Sequence, residues 1–100
     1  MTVRQEMVNG FGIAHGAITY ALADSALAFA SNAHGRKSVS IETSINHVKP
    51  VRPGDVLTAI AEEVCLSHKL GIYNISVLRA GELVGLFKGI VYRKEETWDV

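Results

Sequence analysis

From Gly16 to Asn32 the chain is a single run of small and apolar residues, interrupted at its centre by one acid, Asp24. Rich in alanine and leucine, with no proline and no glycine after the first position, the run reads as a helix of roughly 25 Å at 1.5 Å per residue. Asn32-Ala-His-Gly35 ends it, Gly35 being suited to a left-handed stop, and Arg36 and Lys37 lie near the negative end of the helix dipole. Counted at about 100° per residue, Ile18, Leu22, Ser25 and Phe29 share one stripe, and Asp24 lies on the far side with Ala17, Tyr20 and Ala28. A helix apolar nearly all round is expected to be buried, and a carboxylate buried with it costs several kcal/mol unless something compensates it.

The residues that follow can form the layer that buries this helix. Ser38 to Val48 alternates, with Val39, Ile41, Thr43 and Ile45 on one face and Ser40, Glu42, Ser44 and Asn46 on the other. Pro50-Val-Arg-Pro53-Gly54-Asp55 is a rigid turn. Val56 to Ser67 resumes strand character with Leu57, Ala59, Ala61 and Cys65 on one face, which makes Cys65 a core residue rather than a nucleophile. Tight links at Lys69-Leu-Gly71 and Ala80-Gly81-Glu82 lead into strands over Ile72–Leu78 and Leu83–Arg93, and Lys94–Val100 is expected to fray. Upstream, Thr2 to Val8 reads as a strand that ends in the Asn9-Gly10 turn. One long helix followed by strands on short turns gives an α+β class, an antiparallel sheet wrapped around the helix.

One hundred residues with 48% hydrophobic content suit a single domain over 1–100. The positive mean hydropathy of so short a chain points to apolar surface buried between subunits, hence a homo-oligomer. Zero formal net charge without runs of like charge argues against a nucleic-acid binder. A lone cysteine, a charged N-terminus and the lack of a long apolar stretch make a cytoplasmic location the expectation, with no membrane partner. His34, His47 and His68 share no ligand spacing, so no metal is expected.

Asn9, His15, Gly16 and Asp24 form the set that carries chemistry. They supply an amide donor, a helix N-terminus with free N–H groups and a carboxylate, the parts needed to attack an acyl carbonyl. The run from Asn9 through His15-Gly16 to Asp24-Ser25-Ala26, then Ser44-Ile45-Asn46-His47-Val48-Lys49-Pro50, Arg52-Pro53-Gly54-Asp55 and Leu86-Phe87-Lys88-Gly89, resembles the hotdog-fold acyl-CoA thioesterases. Within these the phenylacetic-acid-degradation (PaaI-like) branch is the most similar. The resemblance covers almost the whole chain. It implies a hotdog fold without the helix and first strand that the family pattern usually places upstream, a dimer or dimer of dimers, an acyl-CoA substrate, and no cofactor.

Gly16 and Asp24 are eight residues apart, about 12 Å along a helix, so one chain cannot bring both to one carbonyl. Two chains with antiparallel helices could, each lending one half of two equivalent sites, and the resemblance implies the same arrangement. Asp24 is then general base or nucleophile, the Gly16 N–H the oxyanion donor, Asn9 a donor to the carbonyl or the water, and His15 a support for the acyl group or Asn9. By resemblance a hydroxyl on the strand after the helix, Ser40 ahead of Thr43, assists in positioning, although alternation puts the two on opposite faces. Lys49, Arg52, Lys69 and Lys88 are rim cations, ordinary solvated charges or contacts for coenzyme A phosphates. Two other readings are a hotdog hydratase or dehydratase acting on acyl thioesters and a non-catalytic acyl-CoA-binding protein. The pocket would be lined by Phe11, Tyr20 and Leu27, among others.

Overall fold

The computed structural model describes residues 1–4 and 16–98. Helix α1 (Gly16–Asn32) is followed by strands β1 (Arg36–His47), β2 (Leu57–Leu66), β3 (Leu70–Arg79) and β4 (Glu82–Thr97). The strands form one antiparallel sheet in the order β1-β4-β3-β2. The hairpin from β3 to β4 turns on Ala80 and Gly81, both at positive φ, the geometry that suits the twist of the flanking strands. At the other end of the sheet Ser67 closes the β2–β3 link, its N–H donating to the Leu70 carbonyl and its hydroxyl accepting from the Leu70 N–H.

One face of the sheet carries the core. Tyr73, Ile75 and Val77 of β3 and Phe87 and Val91 of β4 are buried against Ala23 and Leu27 of α1. At Gly89 of β4 a Cβ would lie 2.5 Å from Leu27 Cδ2, so glycine here lets the helix settle at this depth. Tyr20 packs edge-on against Phe87, ring centroids 5.4 Å apart, and its hydroxyl meets Thr43 Oγ1 at 2.6 Å.

The buried stripe of α1 therefore runs through Thr19, Ala23, Leu27 and Ser31, flanked by Tyr20 and Ala30. Against the expectation of a helix buried nearly all round, Ser25 is exposed and Phe29 is 84% exposed. With apolar residues on every side, periodicity could not choose the face, and the sheet did. Asp24 sits at the edge of the buried stripe and is half-buried rather than enclosed.

Two β-bulges change which side chains face the helix. The register of β1 against β4 slips between Ser40 and Glu42, so Ile41 is the extra residue. Ser40, paired with Val91, and Thr43, paired with Gly89, consequently share the helix-facing side, not opposite sides as strict alternation requires. A second slip between Glu63 and Cys65 pairs Cys65 with Ile72 and moves it to the outer face. Cys65 is exposed, not a core residue.

The C-terminal segment is also ordered further than expected. β4 continues to Thr97, opposite Arg36, and the Trp98 backbone N–H donates to the Gly35 carbonyl while its indole N–H donates to Asn32 Oδ1 at 3.1 Å. Arg36 donates to the carbonyls of Arg93 and Lys94, and Lys37 Nζ lies 5.4 Å from the Trp98 ring centroid. These contacts tie the segment to the end of α1, where fraying was expected. At the other terminus Thr2 makes a single antiparallel bridge to Val56, and Val3 is buried. The rest of the strand expected over Thr2–Val8 lies largely outside the described residues.

The loop before β2 is held by Asp55, whose carboxylate accepts from the Arg52 N–H and from Arg79 at 3.1 Å. Those bonds, the Arg52 N–H first, hold its carboxyl below the usual range. Glu63 is lowered by bonds from His34 and then Tyr73, and Glu82 by Lys49 and then Arg79. Burial, reinforced by the bond to Glu63, pushes the Tyr73 phenol up to about 12. A carboxylate whose folded pKa is depressed stabilises the fold above its unfolded pKa, and that contribution is lost as pH falls through the folded value. The melting temperature is therefore expected to begin falling as pH drops below 4.5, the ordinary glutamate value, while these three groups contribute no change between pH 6 and 8. A series of thermal melts checks this, with Arg79→Met, which leaves Asp55 and Glu82 without their shared partner, expected to flatten the acid limb.

Candidate active site

Asp24 opens onto a cavity of about 310 Å³ between α1 and the first half of β1. Leu27, Ala28, Val39 and Val91 make its apolar lining, and Ser31, Ser38 and Ser40 its hydroxyl lining. The Ser31 hydroxyl donates to the Ala28 carbonyl and the Ser38 hydroxyl to the Ser31 carbonyl. Ser40 brings a further hydroxyl to the same space. The bulge at Ile41 accounts for this placement, since it keeps Ser38 and Ser40 turned toward the helix while Thr43, further along, is turned into the bond with Tyr20.

Gly16 opens onto a different cavity, of about 250 Å³, at the other end of the helix. Its lining comes from Thr19 of the first helical turn, His47 at the end of β1, and Val48, Lys49, Pro50 and Val51 of the following loop. Thr19 is buried at 4% exposure, and its hydroxyl donates to the Gly16 carbonyl at 3.0 Å. His47 Nδ1 lies 3.3 Å from the same hydroxyl oxygen, and its ring lies so near Gly16 that a Cβ there would be 2.9 Å from Nε2. Lys49 at the rim is paired with Glu82 at 2.7 Å.

The two cavities have no lining residue in common. Of the residues singled out from the sequence, Asp24 and Ser40 come together, Gly16 stands apart, and Thr43 lines neither space. Asn9, His15 and Phe11 lie outside the described residues. Leu27 lines the Asp24 cavity as expected, whereas Tyr20 is turned into the core against Phe87. Sequence reasoning passed over Thr19 and His47, which meet only through a pairing 28 residues apart. The one local signal was a threonine three residues after the glycine that starts the helix, the spacing for a hydroxyl-to-carbonyl bond. Among the described residues no group of three potential ligands could hold a metal ion.

One helix laid across a four-stranded antiparallel sheet, with a glycine at its tip and a carboxylate at its middle, is the hotdog arrangement, and the comparisons agree. The model of the thioesterase superfamily matches residues 11–86, and the chain belongs to that superfamily. Within it the chain is PaaI-like. It is 35% identical over 94 residues to the acyl-coenzyme A thioesterase PaaI of Escherichia coli, covering 93% of this chain and 67% of that protein. It is 42% identical over 97 residues to a candidate esterase of Archaeoglobus fulgidus, covering 96% of this chain and 63% of that one. The solved structure of the E. coli PaaI protein from the phenylacetic acid degradation operon superposes with a TM-score of 0.94 at 35% identity, covering 97% of this chain and 71% of that chain. The chain thus spans about two thirds of the length of these curated relatives.

Proposed function

We propose that this chain hydrolyses acyl-CoA thioesters to the free acid and coenzyme A, with each site assembled from two copies. The observation that carries the reading is the separation of the Asp24 and Gly16 cavities within one chain. Antiparallel apposition of two helices puts the Gly16 tip of one beside the Asp24 of the other and makes two equivalent sites. The apolar side chains left exposed support a partner: Phe29 on the helix, and Val39 and Ile41 on the edge strand β1, are 84%, 44% and 58% exposed.

In this site the Asp24 carboxylate takes a proton from water as that water attacks the thioester carbon, and the C–S bond then breaks to release the coenzyme A thiolate, which takes up that proton. Alternatively Asp24 attacks the carbon itself, expelling the thiolate to give an anhydride that water then opens. The Gly16 N–H, at the positive end of α1, receives the developing oxyanion. A thioester is already activated, so a base and an oxyanion donor are sufficient chemistry and no cofactor is required. His15 directly precedes Gly16 and Asn9 lies seven residues before it in sequence, and the two take supporting roles toward the carbonyl and the acyl group. Ser40, in the Asp24 cavity, positions the water or the acyl group, ahead of Thr43, whose hydroxyl is engaged by Tyr20.

The acyl group is of the aryl or hydroxyarylacetyl type. A space of about 310 Å³ whose lining mixes Leu27, Ala28, Val39 and Val91 with the hydroxyl-bearing Ser31, Ser38 and Ser40 suits a ring with a polar substituent better than a long alkyl chain. The operon named for the E. coli relative points the same way. Thiol release from a panel of acetyl-, long-chain, phenylacetyl- and hydroxyphenylacetyl-CoA tests the proposal. Turnover with the aryl thioesters preferred is expected, and binding without thiol release from any member of the panel would overturn it.

A further inference from the structure

We propose that Thr19 and His47 form a hydrogen-bonded clamp that sets the direction of the Gly16 N–H, which makes both of them positioning residues of the thioesterase site. The inference rests on the role proposed for Gly16 but adds two residues that the sequence did not single out for chemistry. The geometry orders the protons. The Gly16 carbonyl can only accept, so the one hydroxyl proton of Thr19 lies in the 3.0 Å bond to it. The Thr19 oxygen is then an acceptor toward His47, and the proton of the 3.3 Å contact belongs to Nδ1. Neutral His47 is accordingly the Nδ1–H tautomer, with the Nε2 lone pair on the side of the ring that faces Gly16.

The clamp joins the first turn of α1 to the last residue of β1, which is itself fastened to β4 opposite Gly85. An oxyanion donor at a helix tip has no preceding turn to hold it, so its aim depends on what ties that first turn to the sheet. Here the tie is a buried hydroxyl and a ring that leaves no room for a side chain on Gly16. A tip free to tilt still binds the thioester but stabilises the oxyanion less, so the loss falls on kcat and not on KM.

Two conservative variants separate positioning from packing. Thr19→Ser keeps the hydroxyl, and His47→Asn keeps an N–H near the place of Nδ1; both are expected to hold kcat within about threefold of wild type. Thr19→Val and His47→Ala are expected to lower kcat about tenfold with KM unchanged. Nitrogen-15 NMR of the full chain with neutral imidazole reads the tautomer without reference to activity. Nδ1–H is expected in the wild type, changing to Nε2–H in Thr19→Val. An Nε2–H tautomer in the wild type, equal kcat for Thr19→Val and wild type, or a His47→Asn variant as slow as His47→Ala would each overturn the clamp. Failure of the thioesterase reading shows itself differently, as a wild type that releases no thiol, and in that event the tautomer alone decides whether the clamp exists.

Discussion

Asp24→Asn is expected to lower kcat for thiol release by at least about 100-fold, or about 2.7 kcal/mol of transition-state stabilisation. The substitution is nearly isosteric and removes only the negative charge and its capacity to take a proton. Asp24 is half-buried at the edge of the helix stripe, and among the described residues no hydrogen bond or ion pair engages its carboxylate. Melting temperature and assembly mass are expected to stay unchanged. That combination separates a chemical role from a structural one: an Asn variant as active as the wild type removes Asp24 from the mechanism, whereas a drop in both activity and stability would make it an architectural residue. Burst kinetics then divide base from nucleophile, because only the nucleophilic route accumulates an acyl-enzyme.

The second large effect is on stability. Gly89→Val places two methyl groups beyond a Cβ that already falls 2.5 Å from Leu27 Cδ2 and 3.0 Å from Cδ1. Gly89 lies in the central strand β4 between Thr43 and Tyr73, facing Leu27, so the Leu27 side chain or the helix that carries it must move. Overpacking of a filled core costs about 1–3 kcal/mol, and with Leu27 Cδ2, Cδ1 and Cγ all within 3.2 Å of that Cβ the upper end is expected here. For a domain of this size about 3 kcal/mol corresponds to a fall of roughly 15 °C in melting temperature. The cost should be partly recovered by Leu27→Ala in the same chain, giving a double variant more stable than the sum of the single changes. Thermal melts at fixed protomer concentration check both statements. Strict additivity would show that Leu27 and Gly89 are not the point of contact that seats the helix.

Much of the fold was legible because its elements announce themselves locally. The helix ends where Asn32 and Gly35 allow it to end, and the turns at Pro53-Gly54 and Ala80-Gly81 fall where their residues require. Facing was less legible, for two separate reasons. In α1 the apolar residues occur on all sides, so no angle is favoured until the sheet supplies one, and the buried stripe runs through Thr19, Ala23, Leu27 and Ser31 while Ser25 and Phe29 are exposed. In the strands, alternation counts residues, and one extra residue at Ile41 or Val64 reverses everything beyond it. The first bulge brings Ser40 and Thr43 to one side; the second expels Cys65 from the core. Trp98 escaped notice because its partner Asn32 is 66 residues away. For the site, the rise per residue alone was enough to separate Gly16 from Asp24. The pairing of His47 with Thr19 depends on where the end of β1 meets the start of α1, which no local pattern encodes.

Complementation between two disabled chains tests the shared site most directly. Asp24→Asn removes the carboxylate, and Gly16→Pro removes the N–H at the first helical position, where proline keeps the backbone but its Cβ, 2.9 Å from His47 Nε2, must displace that ring. Each is expected to be nearly inactive alone, with melting temperature and assembly mass measured for both. When the two are unfolded together and refolded as an equal mixture, half of the dimers pair one chain of each kind, and such a dimer holds one site with an intact Gly16 and an intact Asp24. Recovery of about a quarter of wild-type activity is expected from that count. A mixture as inactive as its components, from chains shown by mass to have exchanged, would contradict a site divided between two subunits.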